Sequence, residues 1–81
     1  MPKFYLHIHE AGETIEDYEG TEFPDARSAL AEAERAARDL MAEKVRTGGI
    51  IGGQRIDVVD DIHQPVGSVR FRTLLHLGDD G

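Results

Sequence analysis

The apolar residues within residues 25–47 recur at steps of three and four, which is the spacing of one face of an α-helix. Asp25 is a good N-cap because its carboxylate can accept a hydrogen bond from the first helical turn. Gly48 and Gly49 follow the stretch and suit the left-handed backbone that often ends a helix. The sequence therefore predicts one long amphipathic helix, whose apolar stripe consists of Ala26, Ala29, Leu30, Ala33, Ala36, Ala37, Leu40, Met41 and Val45.

Residues 3–9 alternate strictly between apolar and polar side chains, which is typical of a strand with one buried face. Turn residues follow it, and three further strands are predicted over residues 14–18, 55–59 and 66–73. Because the first strand alternates most regularly, we expect it to be central in the sheet. Its core-facing residues would be Phe4, Leu6 and Ile8, and its other face would carry Tyr5, His7 and His9.

These elements predict an α+β fold of ββαββ order, an antiparallel four-stranded sheet with one long helix packed on one face. An antiparallel sheet can leave its second face in water. We expect a single domain over residues 1–81, with an ordered core at about 3–73 and a mobile tail at 78–81. The apolar run at residues 74–77 would either extend the last strand or contact a partner. The uncovered face would display Tyr5, His7, His9, Arg55, Asp57 and Arg70.

The charge of the chain is uneven along its length. The net charge is −7, and residues 1–24 carry six acidic residues against the single base Lys3. No basic stripe is present to neutralise phosphates or anionic lipids, so we expect neither nucleic-acid nor membrane binding. A partner attracted by charge would be cationic.

The amino-acid composition also limits the cellular compartment and the kinds of site that we expect. The chain has no cysteine, which excludes disulfides and thiolate metal sites and fits a cytoplasmic protein. No apolar run is long enough to span a membrane, and the first ten residues are too short and polar for a signal peptide. An 81-residue chain without tryptophan builds a modest core, so a homodimer that covers a second apolar surface is expected.

Four glycines in residues 48–53 raise the question of a phosphate-binding loop. Their spacing fits neither the dinucleotide fingerprint nor the P-loop, and the run follows a helix where those motifs precede one. The pattern favours a helix stop followed by a flexible link.

His7 and His9 would project from the same face of the first strand with Cα atoms about 7 Å apart. Two such histidines could bind Zn²⁺ or Ni²⁺ if a further ligand converged on them, and His63 and His76 are the remaining histidines. The acidic residues around Gly20 lack the spacing of a calcium loop and are explained by turn formation and helix capping. A polar sheet face is the simpler interpretation of the two histidines.

The sequence gives no catalytic constellation. Ser28 and Ser68 are the only serines, and neither lies in the sharp strand-to-helix turn of an exposed nucleophile. A small domain with one helix also encloses a large pocket with difficulty. We expect no enzymatic activity and no cofactor.

The chain resembles a family of short, uncharacterised bacterial proteins classed only as a domain of unknown function. The likeness covers about residues 2–72 and is carried by residues 2–7, 17–23, the alanine-rich 29–37 and 56–60, with Val66 and Phe71. Gln54 stands where such proteins often have a tryptophan. The resemblance supports the fold and implies no activity and no catalytic residues. A looser similarity, to small antitoxin domains, lies in the approach to the helix around Gly20 to Asp25.

The leading hypothesis is a cytoplasmic, non-catalytic module for protein association, with itself or with another protein in the manner of an antitoxin. Association would use the uncovered sheet face or a free strand edge. The alternative hypothesis is a small metal-binding protein that uses His7 and His9. The residues expected to bind a partner are Tyr5, His7, His9, Arg55 and Arg70.

Overall fold

The computed structural model describes residues 1–10 and 12–75. The predictions for the tail at 78–81, for His76 and for Leu77 lie outside these residues. Leu74 is half-buried and Leu75 is exposed. The elements in chain order are β1 (Lys3–Glu10), β2 (Glu13–Ile15), β3 (Thr21–Glu22), α1 (Ala26–Arg46), β4 (Arg55–Val59), β5 (Pro65–Arg70) and α2 (Phe71–Leu74).

Over the described residues the sheet is antiparallel and five-stranded, with the order β2-β1-β4-β5 and with β3 also paired to β1. The α+β class and the single long helix are confirmed, as is the central place of β1. The predicted count of four strands and the ββαββ order are wrong in detail. The second strand, expected at residues 14–18, ends at Ile15, and a separate strand β3 pairs with the start of β1.

Asp17 is the reason for this break. Its carboxylate accepts hydrogen bonds from the backbone N–H groups of Leu6 (3.2 Å) and Gly20 (2.9 Å). The side chain thus takes the place that the backbone carbonyl of a neighbouring strand would have beside β1. A strand cannot continue through such a position, so the edge of the sheet is divided into the short strands β2 and β3.

Helix α1 begins and ends where the sequence predicts. Asp25 Oδ1 accepts a hydrogen bond of 2.8 Å from the backbone N–H of Ser28, which lowers the pKa of Asp25. At the other end Gly48 has φ +80°, in the left-handed region. The predicted stripe faces the sheet, with Val45 as the exception, since this side chain is 68% exposed. The fully buried alanines are Ala29, Ala33 and Ala37.

Close packing of α1 depends on small residues in both layers. Gly67 on β5 lies under Leu30, and a Cβ at position 67 would come within 2.9 Å of Leu30 Cδ2. Ile56 and Val58 on β4 supply fully buried bulk between the layers. The strands therefore provide most of the core volume, as a helix with an alanine stripe requires.

Phe71 closes the core from an unexpected element. The sequence predicts a strand to residue 73, but β5 ends at Arg70 and Phe71 is the first residue of α2. The ring is only 1% exposed. Its backbone N–H still bonds to the carbonyl of Gln54 (3.0 Å), so the ladder with β4 continues one residue beyond the strand.

Within residues 1–10 and 12–75, neither helix combines the length and the hydropathy needed to cross a membrane.

Candidate protein-binding face

The surface of the sheet opposite α1, here called the outer face, collects all five residues predicted to bind a partner. The strand register places His7 opposite Asp57 and His9 opposite Arg55 across β1 and β4. Arg55 in turn lies opposite Arg70 across β4 and β5. Side chains alternate strictly along each strand, so these residues share one face. The outer face carries Tyr5, His7, His9, Thr14, Arg55, Asp57, Ser68 and Arg70.

Asp57 is the centre of the polar contacts on the outer face. Its carboxylate accepts hydrogen bonds from Ser68 Oγ (2.7 Å) and Arg55 Nε (3.1 Å), and His9 Nε2 lies 2.8 Å from Oδ2. Burial by itself raises the pKa of Asp57. The hydrogen bonds from Ser68 and Arg55 and the charges of Arg55 and His9 outweigh burial and hold that pKa below its ordinary value of 3.8.

His9 has both ring nitrogens engaged. Nε2 faces Asp57, and Nδ1 lies 3.0 Å from the hydroxyl of Thr14 on β2. In the described part of the chain, no three histidine, aspartate or glutamate side chains converge to hold a metal ion. The structure therefore does not bring a third ligand to the predicted His7 and His9 pair.

His7 is fixed by the same loop that divides the sheet edge. Its Nδ1 accepts a hydrogen bond of 3.1 Å from the backbone N–H of Asp17. An imidazole that accepts at Nδ1 carries its proton on Nε2, so the free nitrogen of His7 is a donor. The ring also stacks beside Tyr5, with centroids 6.5 Å apart and planes 12° from parallel.

An aromatic cleft of about 370 Å³ opens beside Tyr5. His63 covers one side, with its ring centroid 5.7 Å from that of Tyr5. Tyr18 lines the cleft and is 82% exposed. The carboxylate-bearing residues of the lining are Glu16 and Asp17. The aromatic cleft is thus the part of the outer face where rings and acidic groups meet.

Tyr18 and His63 are not among the residues that the sequence predicts to bind a partner, and His63 is considered there only as a possible metal ligand. His63 has φ +64°, which is uncommon for a residue with a side chain. The turn that holds it is built by Asp60, whose Oδ1 accepts from the backbone N–H groups of Ile62 (3.0 Å) and Gln64 (2.8 Å). The adjacent aspartates before His63 were the available signal for such a turn, but they do not show that the ring returns to Tyr5.

Thr14, His9 and Asp57 occur in the hydroxyl–imidazole–carboxylate order of a hydrolase triad. In the serine protease triad the carboxylate holds Nδ1 and the hydroxyl faces Nε2, and here the two nitrogens are exchanged. Thr14 is an exposed residue on a three-residue edge strand. We interpret the contacts as cross-strand bridges that fix the outer face.

The largest cavity described lies away from the outer face. It measures about 690 Å³ and lies between the end of α1 and the glycine loop. Its charged groups, Glu10 and Lys44, form an ion pair with each other. This pairing leaves little polar chemistry directed into the cavity.

Comparison with known families adds one finding. The family described as Domain of unknown function (DUF6894) matches residues 3–72. The chain belongs to this family. The resemblance drawn from the sequence is thereby confirmed, and the DUF6894 match includes every strand of the outer face. No curated protein and no solved structure matches the chain.

Proposed function

We propose that the protein is a small, non-catalytic, cytoplasmic interaction module that binds a basic segment of a partner protein in the aromatic cleft. The observation that carries the proposal is the composition of the cleft. Tyr5, Tyr18 and His63 lie next to Glu16 and Asp17 on a sheet face that no helix covers in the described structure.

A lysine or arginine side chain suits this lining on two counts. A cation over an exposed aromatic ring gains about 0.5–1 kcal/mol from the charge distribution of the ring. Glu16 is exposed and makes no ion pair with any described residue, so its carboxylate can receive the cation. Asp17 contributes negative charge to the lining, but each of its carboxylate oxygens already accepts a backbone hydrogen bond, from Leu6 or from Gly20.

The charge of the whole chain favours the same class of partner. Five of the six acidic residues in residues 1–24 lie in β2, in β3 or between them, so most of this negative charge lies along the edge next to the cleft. The sixth, Glu10, ends β1 and forms an ion pair with Lys44. A basic partner would be attracted over a distance of about one Debye length, roughly 8–10 Å at physiological salt. Acidic proteins and nucleic acids would be repelled.

An NMR titration with a capped tetra-arginine peptide tests the proposal. We expect amide shifts concentrated at Tyr5, Tyr18 and His63, with an affinity that falls as salt is raised. Tyr18→Ser should weaken binding about two- to fivefold, the equivalent of a cation–π contact of about 0.5–1 kcal/mol. Val45→Ser is the matched control, since Val45 is also exposed but lies on α1.

The result against the proposal is equally specific. Shifts spread over the acidic residues of α1, with the same affinity in the Tyr18→Ser and Val45→Ser variants, would mean that the peptide binds the net charge and not the cleft.

Self-association stays a prediction, and light scattering of the purified protein in solution would test it by giving the molar mass. A dimer that buries the outer face would broaden the amide signals of the aromatic cleft as protein concentration rises. In that case the partner is a second copy of the chain.

A further inference from the structure

Three arginines surround a pocket at the far corner of the outer face. The pocket has a volume of about 240 Å³ and lies where β4 begins and β5 ends. Arg55, Arg70 and Arg72 line it together with Gly52 and Gly53 of the glycine loop. We call these three side chains and two glycines the arginine corner.

The arginine corner concentrates positive charge in an acidic protein. Arg55 and Arg70 lie directly opposite each other on adjacent strands, where like charges destabilise a sheet. Asp57 offsets one of the three charges through Arg55, while Arg70 and Arg72 form no ion pair with any described residue. Counting the residues that line the pocket and Asp57, the excess is two positive charges, in a chain whose net charge is −7.

The glycines of the corner are not explained by the fold. Neither Gly52 nor Gly53 has a positive φ, and a Cβ at either position would meet no atom within 4 Å. Backbone conformation and packing would therefore both admit a side chain there. What the glycines do provide is open access to the loop backbone.

Buried Gln54 fixes the glycine loop in place. It is 8% exposed, its Oε1 accepts from the N–H of Gly52 (2.6 Å), and its Nε2 donates to the carbonyl of Ile50 (2.8 Å). The N–H of Gly53 has no acceptor among the described residues. The corner thus combines guanidinium groups with a loop that the Gln54 side chain holds in place.

We propose that the arginine corner binds a single phosphate group, either inorganic phosphate or a phosphate monoester. Such a group carries about −1.5 to −2 charges near pH 7, which matches the local excess. Guanidinium groups donate paired hydrogen bonds to phosphate oxygens. A polyanion such as nucleic acid would also meet the acidic edge formed by residues 1–24, so one isolated phosphate group fits better.

The test is an NMR titration at pH 7.5 and constant ionic strength, with inorganic phosphate replacing chloride. We expect saturable shifts at the amides of Gly52, Gly53 and Arg70. Arg70→Gln and Arg72→Gln should each weaken binding about tenfold, the loss expected for one charge-assisted hydrogen bond. Arg27→Gln is the matched control, because it removes the same charge from an exposed position on α1 and should leave the affinity unchanged.

Two further titrations, with acetate and with methyl phosphate, identify the class of anion that binds and where the phosphate group comes from. Acetate that produces the same shifts at the same concentration would overturn the assignment to phosphate. Methyl phosphate that binds as well as inorganic phosphate would identify a monoester as the source, and binding of inorganic phosphate alone would identify the free ion. Thermal melts of each variant confirm that the protein remains folded.

The result that refutes the proposal is a linear, unsaturated response that is equal in the Arg70→Gln, Arg72→Gln and Arg27→Gln variants. Tyr18→Ser should leave the phosphate titration unaltered, since Tyr18 lines the aromatic cleft and not the arginine corner. Failure of the phosphate site is therefore distinguishable from failure of the proposed function.

Discussion

Substitution of Gly20 tests whether its close contact with Tyr5, a residue of the aromatic cleft, stabilises the fold. It has φ +73°, and a Cβ at this position would lie 2.8 Å from both Lys3 Cγ and Tyr5 Cε2. In Gly20→Ala the left-handed backbone disfavours alanine by about 1–2 kcal/mol. Displacing the Tyr5 and Lys3 side chains from their rotamers adds about 0.5–1.5 kcal/mol. We expect the free energy of unfolding to fall by about 1–3 kcal/mol once the stabilisation from a less flexible unfolded chain is subtracted.

Gly48→Ala is the matched control. Gly48 has φ +80°, but a Cβ there would meet no atom within 4 Å, so only the backbone term applies. The stabilisation that comes from a less flexible unfolded chain, about 0.4–1 kcal/mol, is common to both variants and cancels in the comparison. The difference between the two variants therefore measures the contact of residue 20 with Tyr5 and Lys3.

Urea unfolding followed by far-UV circular dichroism gives both free energies. A difference of about 1 kcal/mol corresponds to a shift of about 4–8 °C in Tm for a domain of this size. Gly20→Ala should also shift the NMR signals of Tyr5 and His7, while Gly48→Ala should not. Equal urea midpoints for the two variants would refute the reasoning, because the close approach of Tyr5 to Gly20 would then have no energetic effect.

Three further predictions follow from single contacts. Because the folded-state pKa of Asp57 is depressed, its contribution to stability is present above pH 3.8 and is lost as pH falls through the folded pKa. Asp57→Asn should therefore flatten the fall in Tm as pH is lowered below 3.8, as thermal melts would show. Phe71→Ala should lower the free energy of unfolding by about 3–5 kcal/mol in urea, against little change for exposed Leu75→Ala. Asp17→Asn removes one of two carboxylate acceptors and should destabilise the fold by about 1–3 kcal/mol, with faster hydrogen exchange at the Leu6 and Gly20 amides.

The outer face could be predicted from the sequence because strand geometry fixes it. Alternation in β1 places Tyr5, His7 and His9 on one side, whatever the other strands do. Alternation within the strand predicted at residues 66–73 likewise puts Val69 and Phe71 on one side, and both are buried, although Phe71 belongs to a helix. The direction of a side chain depends on the local backbone. It can therefore be predicted correctly even where the strand or helix assignment of the residue is wrong.

Val45 shows where local patterning stops being informative. The apolar spacing of α1 includes it, but a helix of 21 residues is about 31 Å long, whereas the five residues of β4 span about 16 Å. The helix is longer than this central strand, and Val45, in the last helical turn, is 68% exposed. Ile15 is 53% exposed for a comparable reason, since it ends a three-residue strand at the edge of the sheet.

Neither the aromatic cleft nor the arginine corner could be predicted as a site, because each depends on how separate parts of the chain are brought together. Tyr18 joins the lining of the cleft, and His63 approaches Tyr5, where Asp17 and Asp60 bind backbone N–H groups and set the path of the chain. A sequence pattern shows that such an aspartate favours a turn, but not where the turn leads. The arginine corner likewise depends on the register between β4 and β5.

The division of the sheet edge by Asp17 also bears on how the protein behaves at high concentration. A fibril grows when an open strand of six or seven residues templates the same segment of another chain. Here an incoming strand could pair with only the two residues of β3 or the three residues of β2. Between these strands the Asp17 carboxylate already accepts the backbone N–H of Leu6. The opposite edge strand, β5, begins with a proline and carries a shifted register next to it. The side chain that shapes the aromatic cleft thus also makes this edge a poor seed for amyloid growth.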